Sequence, residues 1–448
     1  MEVGGLELLK DLQQRYRQRY PASAALYDEA VAQTPGGVHG NLRHYPPFPL
    51  SFKRAEGARM IDVDGYTYTD YFLSYGSLIL GHGHPSVREA VEKVWQIQGT
   101  SSFGTPHPME SEMVKVLREF YPSFESVRLT NSGLEATLLA VRLALAYTGR
   151  THLAKFQGHY HGSHDQVLLN IHIDPRSREP IPVADSFGLP DYVKEHTVVL
   201  PFGDWESCEP LLERHKNHMG AVILEPMMGG YVPAPTGLVQ NLRRWTQENS
   251  IPLIFDEVKT GFRVSLGGAQ EYYGVKPDLT TLGKVVGGGF PIGVVGGKQE
   301  ILSLCSPLRS QQPLFHSGTY NGNPMSLAAG LATMRQLSQP GYFDTIVENT
   351  RKLREGIEQL SEHYRAGWTT LGVGTIFNLV ESGEPPLSKA SGDGRLRRLQ
   401  LDYLLMERGV FLKPMNRFSL SGVHEAQDIE NTLKAFEQAF AALAYVKP

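Results

Sequence analysis

Four short stretches of this 448-residue chain carry side chains that could do chemistry. The run Pro252-Leu-Ile-Phe-Asp256-Glu257 reads as an apolar strand ending in two acids. Ligands of open α/β sheets bind at the carboxyl ends of strands, so a carboxylate there is well placed; read alone, it is as easily a helix cap. In Thr280-Thr-Leu-Gly-Lys284-Val-Val-Gly-Gly-Gly289 one lysine stands between an apolar strand and three glycines. A lysine desolvated in such a place loses proton affinity and becomes an amine nucleophile; the plainer reading is a glycine turn with a surface lysine. Leu129-Thr-Asn131-Ser132-Gly133 leads from a strand into a helical pattern beginning at Leu134. Free N–H groups at such a helix start bind phosphate, although read alone a simple Ser or Asn cap explains the stretch better. Gly158-His-Tyr160-His161-Gly162-Ser-His164-Asp165 invites a metal reading. Its spacing matches no closed zinc site and no cysteine is near, so an aromatic platform from Tyr160, or ordinary loop packing, is the better reading and no metal is expected.

Other catalytic signatures are missing. Gly297-Lys298 has Ile292 where a Walker A loop needs glycine and Gln299 where it needs Ser or Thr. The chain has neither the G-x-S-x-G of a serine hydrolase nor the G-x-G-x-x-G of a dinucleotide fold. What remains is a phosphate cradle, an aromatic face, a strand-end carboxylate and a lysine. Pyridoxal 5′-phosphate needs that set: a lysine for its aldehyde, an acid for its pyridine nitrogen, and anchors for ring and phosphate.

The elements that would hold these residues follow from periodicity. Helical stretches Pro85–Ile97, Met109–Tyr121, Leu134–Tyr147 and Leu238–Glu248 alternate with apolar runs. The runs are Val127–Thr130, Leu153–Phe156, Val198–Leu200, Ala221–Leu224, Pro252–Phe255 and Ile292–Val295. Such continuous runs between helices predict strands buried on both faces, hence a mainly parallel sheet. Ahead of them lie a helix over Leu6–Tyr20, a turn-rich loop over Thr34–Pro49, and an antiparallel pattern over Ser51–Tyr71. There Asp64-Gly65 favours a type I′ hairpin turn. Pro324 opens a long helical region reaching about His363. Strands Thr375–Leu379 and Val410–Leu412, a polar loop Glu381–Gly394, and helices Arg395–Glu407 and Ala426–Tyr445 complete the chain. This predicts residues 75–335 as the large cofactor-binding domain. Residues 1–74 and 336–448 would form the two parts of a smaller α+β domain.

Composition excludes several classes. Lys plus Arg number 43 and Asp plus Glu 47, a net charge of −4 that offers nothing to nucleic acid or an anionic membrane. The apolar runs Tyr71–Leu80 and Ala439–Val446 fall short of the ~20 residues that span a bilayer. An acidic N-terminus argues against a signal peptide, and two cysteines, Cys208 and Cys305, make no disulfide framework, so a cytoplasmic setting is expected.

In motif after motif the chain resembles the class III aminotransferases, in the branch of glutamate-1-semialdehyde aminomutase. The resemblance rests on Pro35–Val38, Leu80-Gly-His-Gly-His-Pro85, Ser102-Phe-Gly104, Thr130-Asn-Ser-Gly133 and Tyr160-His-Gly162. It continues through Leu224-Glu-Pro226, Phe255-Asp-Glu-Val258, Thr260–Val264, Leu282-Gly-Lys-Val285 and His316-Ser-Gly-Thr319. It implies the aspartate-aminotransferase-like architecture (fold type I, α/β), with a large domain on a mainly parallel sheet and a smaller α+β domain from both termini. By the same resemblance Lys284 is the Schiff-base lysine and Asp256 the partner of the pyridine nitrogen. Ser132, Gly133 and Leu134 would hold the phosphate, Tyr160 would stack on the ring, and Val258 would pack on its other face. Glu225 joins this cofactor-binding set. Thr319 would reach the phosphate of a neighbouring subunit, which implies a homodimer with shared sites.

The departures concern the substrate. Leu134 stands where the aminomutase has threonine, Gly230 where it has asparagine, and Gly40 where it has serine. Pro414–Leu420 replaces its acidic element, while Arg43 keeps the arginine that holds a substrate carboxylate. Other stretches, Tyr45–Leu50 and Asp393–Leu396, are similar to β-phenylalanine aminotransferases, and Phe156–Gly162 is similar to D-phenylglycine aminotransferase. Arginine is the natural bidentate carboxylate clamp, so Arg43 and Arg417 are the substrate candidates, Arg417 being equally readable as a solvated strand-edge residue. The expected activity is amino transfer from a β- or D-amino acid with an apolar or aromatic side chain to a 2-oxo acid. An aminomutase or racemase on the same machinery is the alternative.

Overall fold

The computed structural model describes residues 3–173, 180–383 and 392–444. Two compact units emerge, Pro85–Pro340 and the combination of Met1–His84 with Gly341–Pro448.

The first of these is built on a seven-stranded sheet. Its strands are β1 (Ser126–Thr130), β2 (His152–Phe156), β3 (Thr197–Leu200), β4 (Met219–Leu224), β5 (Leu253–Asp256), β6 (Leu279–Gly283) and β7 (Gly293–Gly297). Their spatial order is β1-β7-β6-β5-β4-β2-β3. Neighbours from β6 through to β3 are parallel, and β7 alone runs antiparallel to both its neighbours. Strands β3 to β7 are buried at every residue, as expected of strands without polar alternation. Helix α1 (Gly133–Thr148) lays Leu139, Ala140 and Leu143 into a core with Ile223, Ile254 and Val295.

Register places the strand ends. Asp256 lies beside Thr281, Phe255 beside Leu224, and Ala154 beside Val222. Gly283, Gly293 and Thr130 stand in one row. The carboxyl ends of β1, β2, β4, β5 and β6 therefore share one sheet edge, and the segments leaving those ends carry the residues singled out above.

The helical region from Pro324 is broken in two, Pro324–Leu337 and Tyr342–His363. Between them Pro340 lacks an N–H, and Gly341 adopts a φ of 75°, a left-handed conformation that glycine takes without steric cost. A hairpin of Leu169–Ile173 with Pro180–Ala184 follows β2, unannounced by the pattern of apolar runs.

In the other unit, Phe52–Glu56, Arg59–Asp62 and Thr67–Asp70 form the expected antiparallel sheet. Val410–Phe411 joins it parallel to Thr67–Asp70, so both ends of the chain build one sheet. The expected type I′ turn does not form. It needs positive φ at two residues, and only Gly65 has it, at 97°. Asp64 is instead turned to cap a helix the apolar pattern does not reveal, Pro21–Gln33. Its carboxylate accepts from the N–H of Ala22 at 2.7 Å and of Ser23 at 3.0 Å. Of the polar loop expected over Glu381–Gly394, residues 384–391 lie outside the described residues. Among the described residues no helix is long and apolar enough to cross a membrane.

Candidate active site

Asp256 closes β5, and its side chain is 4 % exposed. Oδ2 lies 2.7 Å from His161 Nδ1. Oδ1 accepts from the Val258 N–H and from the Thr281 hydroxyl, each at 3.1 Å. Burial pushes this carboxyl up, but the His161 hydrogen bond and charge, with the Val258 N–H, hold it below its ordinary value. An ionised acid in an apolar sheet is thereby maintained.

Lys284 follows β6 directly, in a 3-10 turn over Lys284–Gly287. Its φ is 50°, a left-handed conformation uncommon for a residue with a side chain and one that clusters at functional sites. Lys284, Asp256, Val258, Tyr160 and Glu225 line one cavity of about 180 Å³, with Gly133 and Leu134. Val258 is pressed against two glycines. A Cβ on Gly133 would come within 2.7 Å of its Cγ1, and one on Gly283 within 3.3 Å.

Gly133 and Leu134 begin α1, so their N–H groups have no acceptor within the helix. Ser132 is the helix cap: its Oγ accepts from the Glu135 N–H at 3.1 Å, and it does not line the cavity. The cap reading of this stretch therefore holds, and the two residues that follow the cap, Gly133 and Leu134, are the ones that line the cavity.

Glu225 follows β4 and is 2 % exposed. Its Oε1 accepts from Lys259 Nζ at 2.8 Å and its Oε2 from the Tyr160 N–H at 2.8 Å. Burial pushes its carboxyl up, and the Lys259 ammonium leads the opposing influences that leave it below the usual value. That ammonium also stands 5.4 Å from the centre of the Tyr160 ring. Thr319 is exposed and belongs to a different groove, with Ser102, Gly104 and Asn321. No three His, Cys, Asp or Glu side chains are grouped to hold a metal ion among the described residues.

Arg43 and Arg417 belong to the other unit. Arg43 is exposed on a 3-10 turn over Asn41–Arg43. Arg417 donates from Nη2 to the Tyr75 carbonyl at 3.1 Å, and the Tyr75 hydroxyl donates to the Leu42 carbonyl at 2.8 Å. One tyrosine thus ties the two arginine-bearing segments together.

The sequence reading missed His161, Thr281 and Lys259 as working neighbours. His161 carried a signal, since it adjoins Tyr160 in a quoted motif; Thr281 is found only through the register of β5 on β6.

The donor set suits pyridoxal phosphate: an ionised acid, a lysine, an aromatic ring, and helix-start N–H groups beside side-chain-free glycines. Comparison with known proteins agrees. The class-III aminotransferase family matches residues 42–440. Glutamate-1-semialdehyde 2,1-aminomutase 2 of Geobacillus kaustophilus (strain HTA426) is 40 % identical over 433 residues, covering 95 % of this chain and 99 % of that protein. An omega-transaminase from Sphaerobacter thermophilus superposes with a TM-score of 0.90 at 35 % identity, covering 94 % of this chain and 97 % of its own. A β-phenylalanine aminotransferase from Variovorax paradoxus gives 0.87 at 29 % identity, covering 98 % of both. The chain belongs to the class-III aminotransferases and is a pyridoxal 5′-phosphate-dependent enzyme.

Proposed function

We propose that the protein moves an amino group from a β- or D-amino acid with an apolar or aromatic side chain to a 2-oxo acid. The observation that carries this reading is the meeting of Asp256 and Lys284 in one cavity with Val258 and Tyr160. When bound, the cofactor supplies an aldehyde that takes up amino groups and a ring that accepts an electron pair. Asp256, its carboxyl held low chiefly by His161, would pair with the pyridine nitrogen and favour its protonated form. Tyr160 and Val258, which line the same cavity, would hold the ring by stacking and packing. The N–H groups of Gly133 and Leu134 would hold the phosphate; Ser132, which does not line the cavity, caps the helix that presents them. Nζ of Lys284 takes the proton from the substrate carbon and returns it, general acid–base work for a correctly placed amine. Arg43 and Arg417 are assigned to substrate carboxylates. Thr319 is assigned to a second copy's phosphate in a homodimer; its exposure outside its own chain's cavity supports this.

The 40 % identity to an aminomutase favours one second reading, an isomerase on the same residues. A half-reaction separates them. Holoprotein given a β- or D-α-amino donor alone should release one equivalent of oxo product and end in the pyridoxamine form, and an L-α donor should release less. A donor that is consumed with release of an isomer and no oxo product would overturn the transaminase reading.

A further inference from the structure

Lys155 has no part in the reading above, yet it is among the most buried side chains of β2. Its Nζ donates to the His159 carbonyl at 3.3 Å and to the Leu169 carbonyl at 2.6 Å. These described partners are oxygens of the main chain, not a carboxylate. A buried ammonium is costly unless hydrogen-bonded, so its retention asks what the bonds hold in place.

They hold the chain on either side of the aromatic platform. His159 immediately precedes Tyr160, and Leu169 opens the hairpin beyond it. The connection continues through side chains. His159 Nδ1 accepts the Glu225 N–H at 3.0 Å, which only an unprotonated nitrogen can do. Burial, joined by the neighbouring His161 and Lys155 charges, pushes the His159 imidazole well below its ordinary value despite Glu225. Glu225 in turn binds the Tyr160 N–H and the Lys259 ammonium that lies over the Tyr160 ring. An unbroken chain of bonds therefore runs from Lys155 to both the backbone and the ring face of Tyr160.

We propose that Lys155 is a positioning residue for the cofactor platform: through the His159 carbonyl and the His159–Glu225 bond it sets the Tyr160 ring where pyridoxal phosphate stacks. The proposal rests on the assignment of Tyr160 as that platform.

The test is a double-mutant cycle on cofactor affinity, which requires no substrate. Apoprotein is titrated with pyridoxal phosphate for the native chain, Lys155→Met, Tyr160→Ala and the double variant. Lys155→Met should weaken binding about tenfold in the native background and less than about twofold beside Tyr160→Ala, since coupled residues are not additive. Equal losses in both backgrounds, or no loss in either, would overturn the proposal. Tyr160→Ala binding as tightly as the native chain would overturn the platform assignment itself. If Lys155→Met lacks native circular dichroism, Lys155→Gln, which keeps N–H donors without the charge, is taken through the same cycle with the same outcomes.

Discussion

The imidazole of His161 and the carboxylate of Asp256 meet at 2.7 Å with both side chains all but sealed from solvent. Of the influences that lower the Asp256 carboxyl, His161 is the strongest, so the acid's charge depends on its neighbour. A depressed carboxyl works above its folded value and fails as the pH falls through it. His161→Phe removes the main depressing influence and moves that point upward. Cofactor affinity, followed against pH, should therefore fail at higher pH in the variant; superimposable acid limbs would refute this.

Lys284→Ala should retain the fold and lose turnover. Borohydride reduction of the holoprotein should attach the cofactor to a peptide containing Lys284 and leave that variant unlabelled. Asp256→Asn should still bind the cofactor while kcat falls by about a hundredfold or more, the scale of losing one preorganised electrostatic partner.

Gly133→Ala tests the seat of Val258. A methyl group placed 2.7 Å from Val258 Cγ1 must displace that side chain from its seat in the cavity lining. Overpacking of this kind costs roughly 1–3 kcal/mol, so cofactor affinity should drop by about tenfold. Val258→Ala added to Gly133→Ala should restore part of the loss.

Glu257, next to Asp256, behaves in the opposite way. Burial, its largest influence, pushes the carboxyl up to about 7 against hydrogen bonds from Ala269, Gln270 and Thr260. In the unfolded chain it titrates at about 4.3. Between those values the folded protein keeps a proton that the unfolded chain has released. Its contribution to stability therefore falls as pH rises across that window and is gone above it. Melting temperatures measured across the window should drop faster with pH for the native chain than for Glu257→Gln; parallel curves would exclude the effect.

Arg417→Ala and Arg43→Ala should each raise KM for carboxylate substrates by about tenfold or more while leaving the cofactor spectrum unchanged, because only a guanidinium offers a bidentate fork. Lysine at either position should rescue poorly. An unchanged KM would remove that arginine from the substrate assignment.

The large sheet was legible because most of its strands are dominated by apolar residues without polar alternation and are bounded by helices of clear period, although β1 carries Arg128 and β2 carries Lys155. Asp256, Lys284 and Tyr160 were legible as candidates because Asp256 ends such a strand and the other two lie in the segments that leave one. Their neighbours were not. The bond from Thr281 to Asp256 depends on which strand lies beside which, and the pairing of Lys259 with Glu225 joins residues from separate strand ends. Pro21–Gln33 escaped notice since its apolar residues fall around the helix rather than on one side, and its cap, Asp64, comes from a distant turn. The break at Pro340-Gly341 was written in the residues themselves, yet helical periodicity on both sides concealed it.

The pairing of Thr67–Asp70 with Val410–Phe411 has a consequence for biosynthesis. A ribosome delivers Val410–Phe411 only after the whole of the Pro85–Pro340 unit that follows Thr67–Asp70. The intervening Pro85–Pro340 unit has all its own strands in hand well before then. Nascent chains stalled before Val410 should accordingly contain a protease-resistant middle and a protease-sensitive beginning, with the N-terminal sheet left waiting for its last edge.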